Sequence, residues 1–359
     1  MKFDFVIGNP PYQSSNDSYN RQEPLYPYFY DISEKIADKY ILISPARFLF
    51  NAGLTSKKWN KKMLSDEHIK VEYYNQNAAE VFANTDIKGG VAVLYRDSHN
   101  CFGAIEEFIA DDNLRNIAKR FAKDEKNNFP SIMFGGRSDL KFNDNFLMTY
   151  PKSKNDRLKA IKEKHPEVTQ LGPGEEYELK SSTFDVLPNV FLENKPNDSN
   201  EYYKLFGLSN GKRVYRWIKR IYMTPRYSIN NVESYKVYIP KASGNGTFGE
   251  VISAPVVAEP GESSTPTFIG IGNFSTRIEA ENVIKYLKTK FTRTLLGMLK
   301  ITQDIVPSKW AYVPLQDFTS DSDIDWSVSV AEIDKQLYKK YDLSPEEIEF
   351  IETHVKEMV

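Results

Sequence analysis

The chain has 359 residues, with 47 Lys and Arg against 49 Asp and Glu, so any nucleic-acid binding must come from a local basic patch and not from the global field. A single cysteine, Cys101, excludes a disulfide framework and fits a reducing cytoplasm. The four histidines (His68, His99, His165, His354) are scattered without metal-ligand spacing, so no metal site is expected, and no apolar run approaches the roughly 20 residues of a membrane span.

In chain order, the first element is the apolar, β-prone run Phe3-Asp4-Phe5-Val6-Ile7, which stops at Gly8-Asn9-Pro10-Pro11-Tyr12. Proline cannot donate to a sheet ladder, so the strand ends there, and the two rings stiffen the turn that follows. Asn9 offers an amide oxygen and Pro10 a carbonyl without a ladder partner, together able to accept both hydrogens of an exocyclic amine. An aromatic amine is a poor nucleophile because its lone pair is delocalised; two acceptors pulling on its hydrogens favour a more tetrahedral nitrogen. Tyr12 offers a flat face for a base to stack on.

Asn9-Pro10-Pro11-Tyr12 after an apolar strand resembles the catalytic motif of adenine-N6 DNA methyltransferases, in particular the gamma-order enzymes of fused type II restriction–modification proteins. The resemblance implies base flipping of an adenine in duplex DNA, with S-adenosylmethionine as methyl donor.

The elements that follow fit an α/β alternation. Residues 13–18 are a polar loop, Leu25 to Ala37 reads as a helix, and Tyr40-Ile41-Leu42-Ile43 as a strand buried on both faces. After the turn Ser44-Pro45-Ala46-Arg47, Thr55 is expected to cap a helix of about ten residues. Ile69, Val71 and Tyr73 alternate on one face of a further strand, and a final strand runs from Val91 to Tyr95. The intervening loop carries Phe82 in Glu80-Val81-Phe82; by its place before the last strand, the resemblance makes Phe82 the aromatic on the other face of the extruded adenine. Asp86 and Lys88 are read as shaping that loop or touching the backbone rather than doing chemistry. The set looks like the second half of a Rossmann-like methyltransferase sheet.

The cofactor-binding first half is not recognisable. Gly135-Gly136 and Gly172-Pro173-Gly174 lack the strand before and helix after that a cofactor turn needs. The expectation is therefore an enzyme incomplete as this chain alone, its S-adenosylmethionine site completed either by a second polypeptide or by the rest of a larger enzyme of which this is a fragment. The alternative is a non-catalytic DNA-binding specificity subunit or inactive fragment, and a weaker one is methylation of RNA or a protein amine.

Phe102 to Lys123 reads as a helical bridge, after which the texture turns to short β-like runs. Tyr202 to Arg220 signals a hairpin turning at Asn210-Gly211, with Arg213, Arg216, Lys219 and Arg220 interleaved with Tyr215 and Trp217. Basic residues neutralise phosphates and arginines read guanine edges, which makes this arm a candidate contact with double-stranded DNA. Asp185, Glu193 and Lys195 only loosely echo a nuclease metal site. Ala280 to Leu299 reads as one helix, and Ser344 with Glu347 forms a capping box for the last one. The expected organisation is a catalytic half-domain over 1–125, an α+β target-recognition domain over 126–318, and a helical tail over 319–359.

Overall fold

The structure is a computed structural model that describes residues 3–13, 23–83, 85 and 87–358. Residues 14–18 of the polar loop and Asp86 lie outside the described residues. The chain divides into two compact units, Met1–Ile117 and Ala118–Val359.

The first unit is built on a four-stranded sheet in the order β1-β2-β4-β3, where β1 is Phe3–Gly8, β2 Ala37–Pro45, β3 Ile69–Asn75 and β4 Val91–Asp97. β1 and β2 run parallel, so the chain must cross over between them, and helix α1 (Tyr26–Ile36) makes the crossover. Helix α2 (Lys57–Ser65) leads into β3, and β4 then inserts between β2 and β3, antiparallel to both. α1 begins with Pro27 in its first turn, where the missing N–H costs nothing, and buries Tyr26 and Tyr30. Each such ring contributes about 2 kcal/mol by leaving water. They pack with Tyr40, Leu42, Phe48, Trp59, Ala92 and Leu94 on one face of the sheet.

The other face carries exposed apolar side chains. β1 presents Phe3, Phe5 and Ile7 there, all exposed. The ladder sets Phe5 opposite Lys39, Ile7 opposite Ile41, and Ile41 opposite Tyr95. Phe5 stacks on Tyr95, whose ring also meets Phe102, next to the exposed Cys101. The expectation of a β2 strand buried on both faces therefore fails: Ile41 and Ile43 are only half-buried.

Three local departures have physical causes. The ladder of β3 shifts register between Val71 and Tyr73, which reverses side-chain parity. Tyr74 joins Ile69 and Val71 against the core, and Tyr73 is exposed. The cap of α2 is Ser56, whose hydroxyl accepts from the Trp59 N–H at 3.2 Å, one residue beyond the expected Thr55. The bridge over 102–123 is helical only over Asp112–Ala118; before it, Phe102 N–H donates to Glu67 and Glu106 N–H to Leu64, which ties the backbone to its neighbours in place of a helix.

The second unit mixes sheets and helices. Strands β5 (Tyr202–Ser209) and β6 (Lys212–Lys219) form the hairpin, with Ser209 opposite Lys212. Asn210 and Gly211 both take positive φ, 49° and 74°, the conformation a two-residue turn of this hand requires. A second sheet contains β7 (Tyr235–Pro240), β8 (Val256–Ala258) and β10 (Phe268–Phe274), while β9 (Glu262–Ser264) pairs parallel to β5. The helical run from residue 277 breaks in two, α3 (Arg277–Lys288) and α4 (Lys290–Gly297). Thr289 leaves the helix to cap α4, its hydroxyl accepting from the Thr292 N–H. Helices α5 (Val330–Lys340) and α6 (Pro345–His354) follow, and the Ser344–Glu347 capping box is present.

Candidate functional site

β1 ends at Gly8, and Asn9-Pro10-Pro11-Tyr12 leaves the C-terminal edge of the sheet, where open α/β sheets hold their ligands. Asn9 is exposed and Pro10 buried. Among the described residues nothing is hydrogen-bonded to the Asn9 amide or the Pro10 carbonyl, so both acceptors are uncommitted. The backbone after them is fixed: Leu25 N–H donates to the Tyr12 carbonyl at 3.2 Å, and Gln13 bridges to Pro24. The Tyr12 ring lies half-buried, its hydroxyl enclosed without a hydrogen-bond partner among the described residues, and burial pushes its phenol pKa up.

Phe82 comes to Tyr12 from the loop after β3. Its N–H donates to Ala78 at 2.8 Å, which winds the loop into a turn, and the two rings meet with centroids 6.5 Å apart and planes inclined by 64°. The two aromatics of the sequence reading are thus neighbours, edge to face. At that inclination the two rings form no parallel-walled slot.

On another side, Tyr12 forms a wall of a cavity of about 440 Å³ lined also by Tyr26, Pro45, Arg47, Leu54, Ile87 and Lys88. Two features aim Arg47 there. It sits in a 3₁₀ turn (Ala46–Phe50) that starts where β2 ends, and the turn is closed by Ala52 N–H donating to the Arg47 carbonyl. Gly53, at φ +93°, packs against the Arg47 stem, a Cβ there being within 3.3 Å of it. The turn is tied to the 85–90 loop by Ala46 N–H donating to the Gly90 carbonyl at 2.9 Å. Burial pushes the neighbouring Tyr26 phenol up to about 12, with the Arg47 charge opposing that rise. Arg47 has no ion-pair partner among the described residues, and its Nε is buried without a hydrogen bond. The sequence reading gave Arg47 no role. The signal was its place at the end of the second parallel strand, on the same sheet edge as the motif.

The basic arm of the second unit is divided. Arg213, Tyr215, Trp217 and Lys219 alternate onto one face of β6, with Lys204 Nζ 4.0 Å over the Tyr215 ring. Arg216 points the other way and pairs with Glu193 at 3.3 Å, while Arg220, past the end of β6, pairs with Glu233 at 2.9 Å. Arg213 is exposed and donates to the Ala254 carbonyl. Asp185 accepts from the Ser209 hydroxyl and the Asn210 N–H, securing the hairpin turn.

The family match falls on the first unit. Residues 1–82 match the family described as Eco57I restriction-modification methylase. A protein of Mycoplasma pneumoniae described as an uncharacterized adenine-specific methylase is 34% identical over 95 residues, a stretch that is 25% of this chain and 22% of that protein. The chain thus spans about a fifth of the length of this relative. A solved structure of the type IIL restriction-modification enzyme MmeI in complex with DNA aligns with 98% of this chain and 56% of its own, at 10% identity and a TM-score of 0.43, too low to carry an argument. The methylase-matching segment contains β1, the Asn9–Tyr12 motif, Arg47 and Phe82. No helix among the described residues is long and apolar enough to cross a membrane.

Proposed function

We propose that this chain carries the catalytic edge of a site-specific DNA adenine-N6 methyltransferase of a restriction–modification system. The observation that carries the reading is the Asn9-Pro10-Pro11-Tyr12 turn at the end of a parallel strand, with both acceptors uncommitted and Tyr12 against Phe82, inside the segment that matches the methylase family. The strand order, with an antiparallel strand inserted next to the last, supports it as the second half of a methyltransferase sheet.

The Asn9 side-chain oxygen and the Pro10 carbonyl accept the two hydrogens of the adenine amine and draw its nitrogen toward tetrahedral geometry. Tyr12 and Phe82 hold the extruded ring by stacking, which is worth about 1–3 kcal/mol per aromatic. Arg213, exposed near the hairpin turn, and Lys219, at the far end of β6, contact DNA phosphates in this proposal, with Arg216 and Arg220 held back by their glutamates.

S-adenosylmethionine supplies the methyl group in this proposal. The described residues do not fit it: Gly270 and Gly272 precede a helix, but the rings of Phe134 and Phe274 fill the space beside them. The residues that hold it are proposed to lie in further polypeptide. The test is Tyr12→Ala in the natural protein, with N6-methyladenine measured in duplex DNA. Methylation is expected to fall about 50-fold, with most DNA affinity kept. Parallel loss of affinity and methylation would contradict the stacking role.

A further inference from the structure

Resting on that reading, we infer that Arg47 and Lys88 hold a backbone phosphate of the nucleotide whose adenine lies against Tyr12. Four observations lead there. Arg47, Lys88 and Tyr12 line one cavity of about 440 Å³, so an anion at the cations and a ring at the tyrosine are held together. Neither cation has an ion-pair partner among the described residues, whereas most arginines of the chain's second unit have one. The cations come from two loops that are bonded to each other through Ala46 and Gly90, which brings both to the same cavity. Pro24, Pro45, Leu54 and Ile87 give the cavity apolar wall, with Gln13 and Thr85 as neutral polar groups, a lining that suits a sugar rather than a second charge.

A guanidinium presents its donors as a planar fork that matches two phosphate oxygens, and Lys88 at the exposed rim adds a point charge without fixed geometry. Such a pair recognises no sequence. It fixes how far the extruded nucleotide enters, and so where the amine stands relative to Asn9 and Pro10.

The experiment titrates the full chain, by calorimetry at low salt, with deoxyadenosine, its 5′- and 3′-monophosphates, inorganic phosphate and S-adenosylmethionine. At least one monophosphate is expected to bind about tenfold more tightly than deoxyadenosine, the scale of one charge-assisted contact. Arg47→Gln should erase that preference and leave deoxyadenosine binding and the thermal midpoint unchanged. Arg47→Lys should restore part of it. A monophosphate preference that is absent, or that survives Arg47→Gln, overturns the assignment. So does a loss confined to S-adenosylmethionine, which would make the anion a carboxylate. If deoxyadenosine fails to bind and Tyr12→Ala changes nothing, the adenine reading falls. Inorganic phosphate binding that depends on Arg47 would then still uphold the anion site, and its absence would sink that too.

Discussion

Arg47 of the first unit and several arginines of the second are treated differently, although the first unit also pairs cations, Arg96 with Asp66 at 2.9 Å among them. In the first, Arg47 stands at a cavity wall with no ion-pair partner among the described residues, just past the end of β2, the parallel neighbour of the strand that leads to the candidate motif. In the second, Arg216, Arg220 and Arg226 are each matched by a glutamate, and Lys204 is held by Glu262 at 2.7 Å. A paired cation serves the fold; one left unpaired near a cavity is available to an incoming anion. The difference separates positive charge that holds a sheet together from positive charge that is free to bind.

The largest effect that would break this contrast is at the glycine that ties the first unit's loops. Gly90 adopts φ +77°, and a Cβ there would run into the Asn75 carbonyl and the Gln76 backbone. Gly90→Ala is expected to cost about 3 kcal/mol or more in urea unfolding, as overpacking adds to backbone strain. Gly211 in the second unit has nearly the same φ, +74°, with nothing within 4 Å, so Gly211→Ala should cost only about 1 kcal/mol of backbone strain. Equal costs would mean that the loop packing around Gly90 does not constrain the Arg47 turn.

A middle-sized effect comes from a buried cation of the second unit. Lys236 is fully enclosed, its ammonium donating to the Val232 and Ser234 carbonyls. Burial lowers its pKa to about 8, opposed by the charges of Asp139, Glu262 and Glu233. The unfolded lysine titrates near 10.4, so between the two values the unfolded chain binds more protons and stability rises with pH. That rise is on the order of 3 kcal/mol, and Lys236→Met should flatten it. A variant with the same pH profile as the natural chain would show that Lys236 is more hydrated than its burial implies.

The smallest effect tests the division within the hairpin. Removing Arg213 or Lys219 should weaken duplex binding and lower the salt slope by about one each. Arg216→Ala should change DNA affinity less than either. A larger loss at Arg216 would mean that DNA displaces Glu193 and that the ion pair is a latch.

Much of the first unit could be read from its residues. Periodicity located α1, β2, β3 and β4, because local apolar spacing and Pro placement decide those elements. The Asn210-Gly211 turn and the Ser344–Glu347 box were also legible, since each depends on residues a few positions apart. The register shift that exposes Tyr73 was not, because it is settled by which β4 residue lies opposite. Nor was the split at Thr289, a residue that a helix interior tolerates but whose hydroxyl bonds better as a cap. The basic arm looked continuous in sequence and was divided by glutamates distant in the chain. For the site, the sequence marked Tyr12 and Phe82 as partners, and they are neighbours. It missed Arg47, whose meaning lies in what surrounds it.

Cys101 is the chain's only thiol, and it is exposed next to Phe102, whose ring meets Tyr95 of the first sheet. A maleimide dye would therefore attach at one known position without any prior mutagenesis. Its emission colour would report directly when another protein comes to lie over Phe5, Ile7 and Tyr95.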